Sequence, residues 1–501
     1  MKNLLENFDI HLFLTEPLVR GDRVPLFRQI YRNIRQAILS RRLKTGSQMP
    51  PTRYLARELN VSRSTLINAF ELLISEGYLV GKPGAGTFVA GELPDGLLLA
   101  GMRELDFSSL DKTDRNISER GRKTAEAEIV FSDSSEKSRA FGHSLTETEQ
   151  FPMHIWKRII ARLLRKDQRK FTEYIDRFGI QGYPPLRRAI SKYLGASRGL
   201  VCSPDQIIIT TGSQQGLDLS SRVLLDNGDR AWVEDPNYKG SLGALTAGGV
   251  RIVPVPLDAE GIDVKAGKKL AGDARAAFVT PSHQFPLGTV MSFSRRLELL
   301  KWADHNSAWI IEDDYDSEFR YDGKPFPALQ GLDAGKRVIY IGTFSKALFS
   351  SIRLGYLVVP ADLVHSFVKM LLFTSFHAPV LEQLVLTDFI NQGHFGRHIR
   401  KMRKLYAARQ KFLVDEINRE LGDHLEVRPT ETGMHLIAWL KKGLSDAEIA
   451  RKAREKDVNL APLSFYCLKE KLPDGLILGF AGTDEKEIRR GVRRLQGCFD
   501  G

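Results

Sequence analysis

Six short runs of β-forming residues, QIIITTG, RAWVEDP, RIVPVPL, RAAFVTP, AWIIEDD and VIYIGTF, recur along the middle of the chain with helix-patterned stretches between them. That alternation constrains the fold more than any other feature. Strands separated by helices predict an α/β architecture, a mostly parallel sheet with flanking helices, and ligand sites in such sheets form at the carboxyl ends of the strands. Each run here ends in a turn or a polar cluster, so the informative residues are expected there. At 501 residues the chain is also longer than one hydrophobic core usually supports, which predicts at least two domains.

The first ninety residues carry a different pattern. From Pro25, the residues Leu26, Ile30, Ile34, Ala37 and Ile38 recur at helical spacing, and Gly46 breaks the run. In MPPTRYLARELNVSRSTLINAFELLISEGYLV, Thr52 is placed to cap a short helix and Ser62 a longer one, with a tight turn through Asn60 and Val61 between them. This is a helix-turn-helix. The second helix presents Arg63, Ser64 and Thr65 from its first turn, the position from which such helices reach base edges and phosphates in the major groove. GYLVGKPGAGTFVA then reads as a small hairpin about a Lys82-Pro83-Gly84-Ala85-Gly86 turn. A formal net charge of +12 suits a polyanionic partner. Residues 91–127, dense in alternating charge and poor in aromatics, are expected to form a flexible linker, and residues 128–501 the large domain.

At the strand ends of the large domain, TTGSQQGLDL sets Gly212, Ser213 and Gln214 at the start of a helix, where free N–H groups and the dipole receive a phosphate. IIEDDYDSEFRY ends a strand with Asp313, Asp314 and Tyr315, and GTFSKALFSSIRLGY supplies Thr343, Ser345, Lys346 and Arg353. Singly, Asp313 and Asp314 read as a solvated strand end, Lys346 as a surface lysine and Tyr238 of EDPNYKG as a core aromatic. Together, four strand ends carry complementary parts of one cofactor site. Lys346 would form an imine with an aldehyde, and Asp313 would keep a pyridine nitrogen protonated. Tyr315 would donate to a phenolic oxygen and Tyr238 would stack on the ring. Ser213, Gln214, Thr343, Ser345 and Arg353 would hold a phosphate. These are the requirements of pyridoxal 5'-phosphate (PLP).

With these residues in view, residues 20–90 resemble the GntR-type winged helix-turn-helix, whose proline-plus-arginine, VSR-ST turn and glycine wing ending in GTFV stand nearly intact. The resemblance implies DNA contacts by Arg53, Arg63 and Gly84. Some relatives carry another arginine four residues into the recognition helix, and Ile67 leaves that contact without its arginine here. The remainder resembles fold-type-I aminotransferases, through GYPPLRRAISKYL, TPSHQFPLGTVMS, EDDYDSEFRYDGKP, GTFSKALF and GRHIRKMRKLYAAR, and the whole chain resembles the MocR/GabR subfamily of GntR regulators. The resemblance implies a smaller C-terminal α/β subdomain, a homodimer, and double-stranded promoter DNA with a small amine effector or PLP itself as partners. It also sets His283 and Gln284 in a loop facing the ring edge and offers Tyr174 as a partner-chain tyrosine.

Two functions follow: a sensor that reads an amine or PLP and changes DNA binding, or a working aminotransferase that carries a DNA-binding module. Amino-acid aminotransferases of this fold supply a late-strand arginine that pairs bidentately with the substrate α-carboxylate. In LILGFAG, Ile477 stands in that place, with Arg428, His435 or a partner-chain residue as substitutes. The regulator reading is favoured, with residual half-transamination at most. Cys202, Cys467 and Cys498 have neither disulfide-framework nor metal-ligand spacing, so no metal is expected. No stretch reaches roughly 18 consecutive apolar residues and the start lacks the order of a secretory signal, so a cytoplasmic location away from membranes is expected.

Overall fold

The computed structural model describes residues 13, 17–21, 24–91, 93, 117–126, 140–143, 145–166, 169, 173–174, 178–323, 326–441 and 443–499. Most of the expected 91–127 linker lies outside the described residues. The chain divides into two compact units, Met1–Arg115 and Asn116–Gly501.

In the first unit, α1 (Leu26–Leu39), α2 (Thr52–Glu58) and α3 (Arg63–Ser75) precede a hairpin of β1 (Leu79–Lys82) and β2 (Gly86–Val89). The helical periodicity read from the sequence becomes the core, because Ile30, Ile34, Ala37, Ile38, Leu55, Leu66, Ala69 and Leu73 are all buried in one cluster. Asn60 makes the turn in the left-handed region (φ 49°). Ser62 caps α3, its Oγ accepting from Thr65 N at 3.1 Å. The expected cap at Thr52 is corrected: Pro51 precedes α2 and no side chain caps it, so Thr52 is the first helical residue.

The second unit contains an eight-stranded sheet ordered β3-β10-β9-β8-β7-β4-β5-β6. Its strands are β3 (Ile207–Thr210), β4 (Arg230–Asp235), β5 (Arg251–Asp258), β6 (Gly261–Ile262), β7 (Ala276–Val279), β8 (Trp309–Asp314), β9 (Val338–Thr343) and β10 (Gly355–Val358). All six predicted runs are strands. Pairings β5-β4-β7-β8-β9 are parallel, while β10 runs antiparallel between β9 and β3 and β6 is antiparallel to β5. The central strands β4, β7, β8 and β9 are buried on both faces: Ile311, Ile339 and Ile341 enter one cluster, and Ile310 and Val338 enter another on the opposite side. Helices Ser213–Leu224, Lys239–Gly248 and Val364–Ser375 contribute Leu217, Leu245 and Phe367 to the first of these clusters.

A smaller antiparallel sheet, β11 (Leu425–Val427), β12 (His435–Leu440), β14 (Gly475–Gly479) and β13 (Ala461–Pro462) in spatial order, follows the long helix His394–Glu420. Helices Asp446–Glu455 and Glu485–Gln496 complete this portion. Among the described residues no helix is long and apolar enough to cross a membrane, and no cluster could hold a metal ion.

Candidate cofactor site and reader helix

Four parallel strands deliver their carboxyl ends to one edge of the large sheet: β4 ends at Asp235, β7 at Val279, β8 at Asp314 and β9 at Thr343. A cavity of about 220 Å³ lies against this edge, and Ser213, Gln214, Tyr238, Asp313, Tyr315, Thr343, Ser345, Lys346 and Arg353 all line it. The sequence reading did not include His143, Thr280, Phe285, Ser350 and Met434, which line it too; His435 is also there. Thr280 directly follows β7, so the strand-end rule could have found it. His143 carries no such signal, because its segment is placed by the Phe141 bridge to Gly479, at the end of β14.

One corner is built for an anion. Gly212, at φ 131°, precedes the Ser213–Leu224 helix, whose first N–H groups and dipole face outward there. The Arg353 guanidinium lies beside it: a Cβ at position 212 would come within 3.8 Å of that group. A Cβ on Gly355 would stand 2.8 Å from the Gly212 backbone, so the two chain segments touch with no room for a side chain. Ser345 Oγ is buried and has no hydrogen-bond partner among the described residues.

The other corner is built for a cation. Asp313 is buried and its Oδ1 has no hydrogen-bond partner among the described residues. Burial first, then the neighbouring Asp314, Asp316 and Glu234, push its carboxyl up to about 7. Burial lowers the Lys346 ammonium to about 8.

Because the Asp313 pKa is raised in the folded state, its contribution to stability is present below about pH 4 and is lost as pH rises through about 7. The Asp313→Asn apoprotein is therefore expected to lose less stability than wild type between pH 5 and 8, measured by chemical denaturation at each pH. Equal losses would show that Asp313 does not carry this penalty.

Behind the cavity wall, His283 Nδ1 lies 2.9 Å from both the Tyr315 hydroxyl and Asp316 Oδ2. Gln284 Nε2 donates to Pro236 O at 2.8 Å. Their loop reaches the cavity through Thr280 and Phe285, but neither side chain lines it, so that part of the expectation is corrected: they support Tyr315 and Phe285 from behind. Asp314 Oδ2 points away from the cavity and accepts from Arg198 Nε at 2.8 Å, Tyr340 Oη at 2.6 Å and Ser317 Oγ at 2.9 Å.

Two further expectations are corrected. Tyr174 is buried within its own chain, where its hydroxyl donates to Gln383 at 2.9 Å, so it is not presented to a partner. Arg428 is exposed and pairs with Glu426 at 2.7 Å, away from the cavity. Ile477 is fully buried and packs with Phe285, Ala461 and Tyr466.

In the first unit Arg53, Arg63, Ser64 and Gly84 are exposed and Thr65 is half-buried. Arg63 is the first residue of α3, and Gly84 turns the wing at φ 74°. The Ser64 and Thr65 hydroxyls lie 2.8 and 2.7 Å from Ser62 Oγ, so both are engaged locally at the helix cap. Ile67 is half-buried on the same helix.

Residues 26–89 match the family "Bacterial regulatory proteins, gntR family", and residues 142–495 match "Aminotransferase class I and II". The chain is 39% identical to the "Probable rhizopine catabolism regulatory protein MocR" of Rhizobium meliloti, over 96% of this chain and 95% of that one. The chain belongs to the MocR subfamily of GntR-type regulators. A second MocR-type relative, the "HTH-type pyridoxine biosynthesis transcriptional regulator PdxR" of Corynebacterium glutamicum, is 29% identical over 92% of this chain and 93% of its own. Among solved structures, the α-aminoadipate aminotransferase LysN of Thermus thermophilus, complexed with N-(5'-phosphopyridoxyl)-L-leucine, matches at TM-score 0.68 and 28% identity. That match covers 76% of this chain and 97% of LysN. The cofactor of this fold is PLP, and the cavity fits it: the unpartnered Asp313 Oδ1 awaits a cationic N–H, and Ser345 Oγ with Arg353 awaits an anion.

Proposed function

We propose that this MocR-family chain is a cytoplasmic, PLP-dependent DNA-binding transcription regulator. It reads a small amine, or PLP itself, through the aminotransferase-like unit. The observation that carries the proposal is that one cavity gathers Lys346, Asp313 and an anion corner, in a chain whose other unit is a winged helix with exposed Arg53 and Arg63. Bound PLP supplies a reversible covalent carbon–nitrogen link to a primary amine. Lys346 would make that link in the resting state, and its lowered pKa keeps a larger fraction of the amine neutral and nucleophilic. Asp313 would hold a proton on the ring nitrogen. Tyr315 would donate to the phenolic oxygen and Tyr238 would cover the ring face. Ser213, Gln214, Thr343, Ser345 and Arg353 would hold the phosphate. Two copies of the chain would present two readers to two DNA half-sites. An effector shifts DNA affinity only by contacting two arrangements differently.

On the DNA side, Arg63 at the start of α3 and Arg53 at the start of α2 would contact bases or phosphates with the wing at Gly84, and Ser64 and Thr65 would contribute through the same helix end. Arg63→Ala is expected to weaken binding to the promoter bordering its own gene by about 1–3 kcal/mol and to flatten its salt dependence by about one counterion. Fluorescence anisotropy across a salt series measures both. Unchanged affinity and slope would remove α3 from the interface.

The alternative, a working amino-acid aminotransferase with an attached DNA module, is disfavoured by Ile477, which occupies the place of the carboxylate-binding arginine with a buried apolar side chain.

A further inference from the structure

We infer that Asp316 and His283 are positioning residues for the Tyr315 hydroxyl, aiming its hydrogen into the cavity at the phenolic oxygen of a bound ring. The inference rests on the PLP reading above and says how one of its donors is held ready.

Three chain segments meet here. Tyr315 and Asp316 follow the end of β8, and His283 follows β7. His283 Nδ1 stands 2.9 Å from Asp316 Oδ2 and 2.9 Å from the Tyr315 hydroxyl. An ionised carboxylate can only accept, so the ring nitrogen that faces it carries the hydrogen. The Tyr315 oxygen meets the same N–H, from which it can accept and to which it cannot donate. Tyr315 lines the cavity, so its own hydrogen, barred from Nδ1, is left to point there. Were Nδ1 bare, the hydroxyl would donate to it and turn its hydrogen away from the ring. Both the His283 and Asp316 side chains are buried, which strengthens the pair.

The third segment fixes the imidazole. Gly433 has φ 97°, and a Cβ there would stand 1.9 Å from His283 Cε1, so the chain closes on the ring edge in a way only glycine allows. Gly433 N donates to Phe319 O at 2.9 Å and Phe319 N to Asp316 O at 3.0 Å, which ties this clamp to the carboxylate's own segment. The His435 ring packs on the same imidazole, with centroids 4.9 Å apart.

The test is a pH titration of the visible absorbance band of PLP-loaded full-length protein. Donation to the phenolic oxygen favours its ionised form and lowers the midpoint, so loss of that donation raises it. Tyr315→Phe gives the reference rise, expected at about one pH unit, the size of one hydrogen bond to a charged oxygen. Asp316→Asn keeps the shape, removes the group that holds the hydrogen on Nδ1, and is expected to raise the midpoint comparably. The sign is diagnostic, because removing a carboxylate that acted only through its charge would lower the midpoint. The other titratable groups facing the trio, Asp313, Asp314, Glu234, Tyr321, Lys346 and His435, are the same in every variant. In the Tyr315→Phe background, Asp316→Asn is expected to add no further rise, since no hydroxyl hydrogen is left to aim. A midpoint that falls or stays put in Asp316→Asn, or that rises equally with and without the tyrosine hydroxyl, overturns the inference while leaving PLP binding intact. If Asp316→Asn does not take up PLP, His283 decides: His283→Leu is expected to raise the midpoint, and His283→Asn, which carries an amide N–H at the branch position of Nδ1, to return most of the way. Equal midpoints in those two variants overturn the assignment of the hydrogen to Nδ1. Wild-type protein that shows no visible band with PLP overturns the cofactor reading instead.

Discussion

Lys346→Ala is expected to abolish covalent retention of PLP completely. Wild-type protein reduced with borohydride and then denatured should carry the cofactor through gel filtration, and the variant should carry none. The expectation follows from position and chemistry together. Lys346 lies three residues past the end of β9, in the same cavity as Asp313 and Arg353, and burial lowers its ammonium to about 8. A surface lysine near its ordinary value would be almost wholly protonated at neutral pH and a poor nucleophile. Retention of reduced cofactor by the variant would move the attachment to another amine. Circular dichroism should be unchanged, because the substitution removes a charge whose burial is unfavourable.

The second large effect concerns the neighbouring aspartate and tests whether two adjacent carboxylates have separate tasks. Asp314→Ala is expected to destabilise the protein by about 3–5 kcal/mol, because it leaves the buried Arg198 guanidinium without its carboxylate and Tyr340 without its acceptor. The paired replacement Arg198→Met with Asp314→Leu removes both charges and is expected to recover most of that loss. Denaturant unfolding of the singles and the double gives the coupling directly. If Asp314→Ala costs no more than a surface substitution, the buried pair is not holding the end of β8 in place. Asp313→Asn, by contrast, should weaken PLP binding while leaving the apoprotein at least as stable above pH 7.

The sequence made the central parallel strands legible because they are buried on both faces, so each reads as an apolar run bounded by polar residues. It also made their carboxyl ends legible as a site, and nine residues named from that rule line one cavity. The antiparallel β10 was not anticipated, since a four-residue run does not encode the direction in which it pairs. His143, Met434 and His435 reach the cavity from outside the large sheet, His435 from the first position of β12, so a rule about parallel strand ends could not find them. Tyr174 and Arg428 were named on loop position and residue type, and neither property reports burial or a competing partner. In the first unit, the spacing of Ile30, Ile34, Leu66 and Ala69 was sufficient, because a small helical core is set by local periodicity.

The backbone contact between Gly212 and Gly355 also bears on how the protein is made. The anion corner joins a segment synthesised early in the large sheet to one synthesised after β9, and β10 must insert between β3 and β9 before the two meet. Such distant pairings form late, after the entropy of closing the intervening chain has been overcome. A ligand that binds the corner only once these segments have met stabilises the folded unit by mass action.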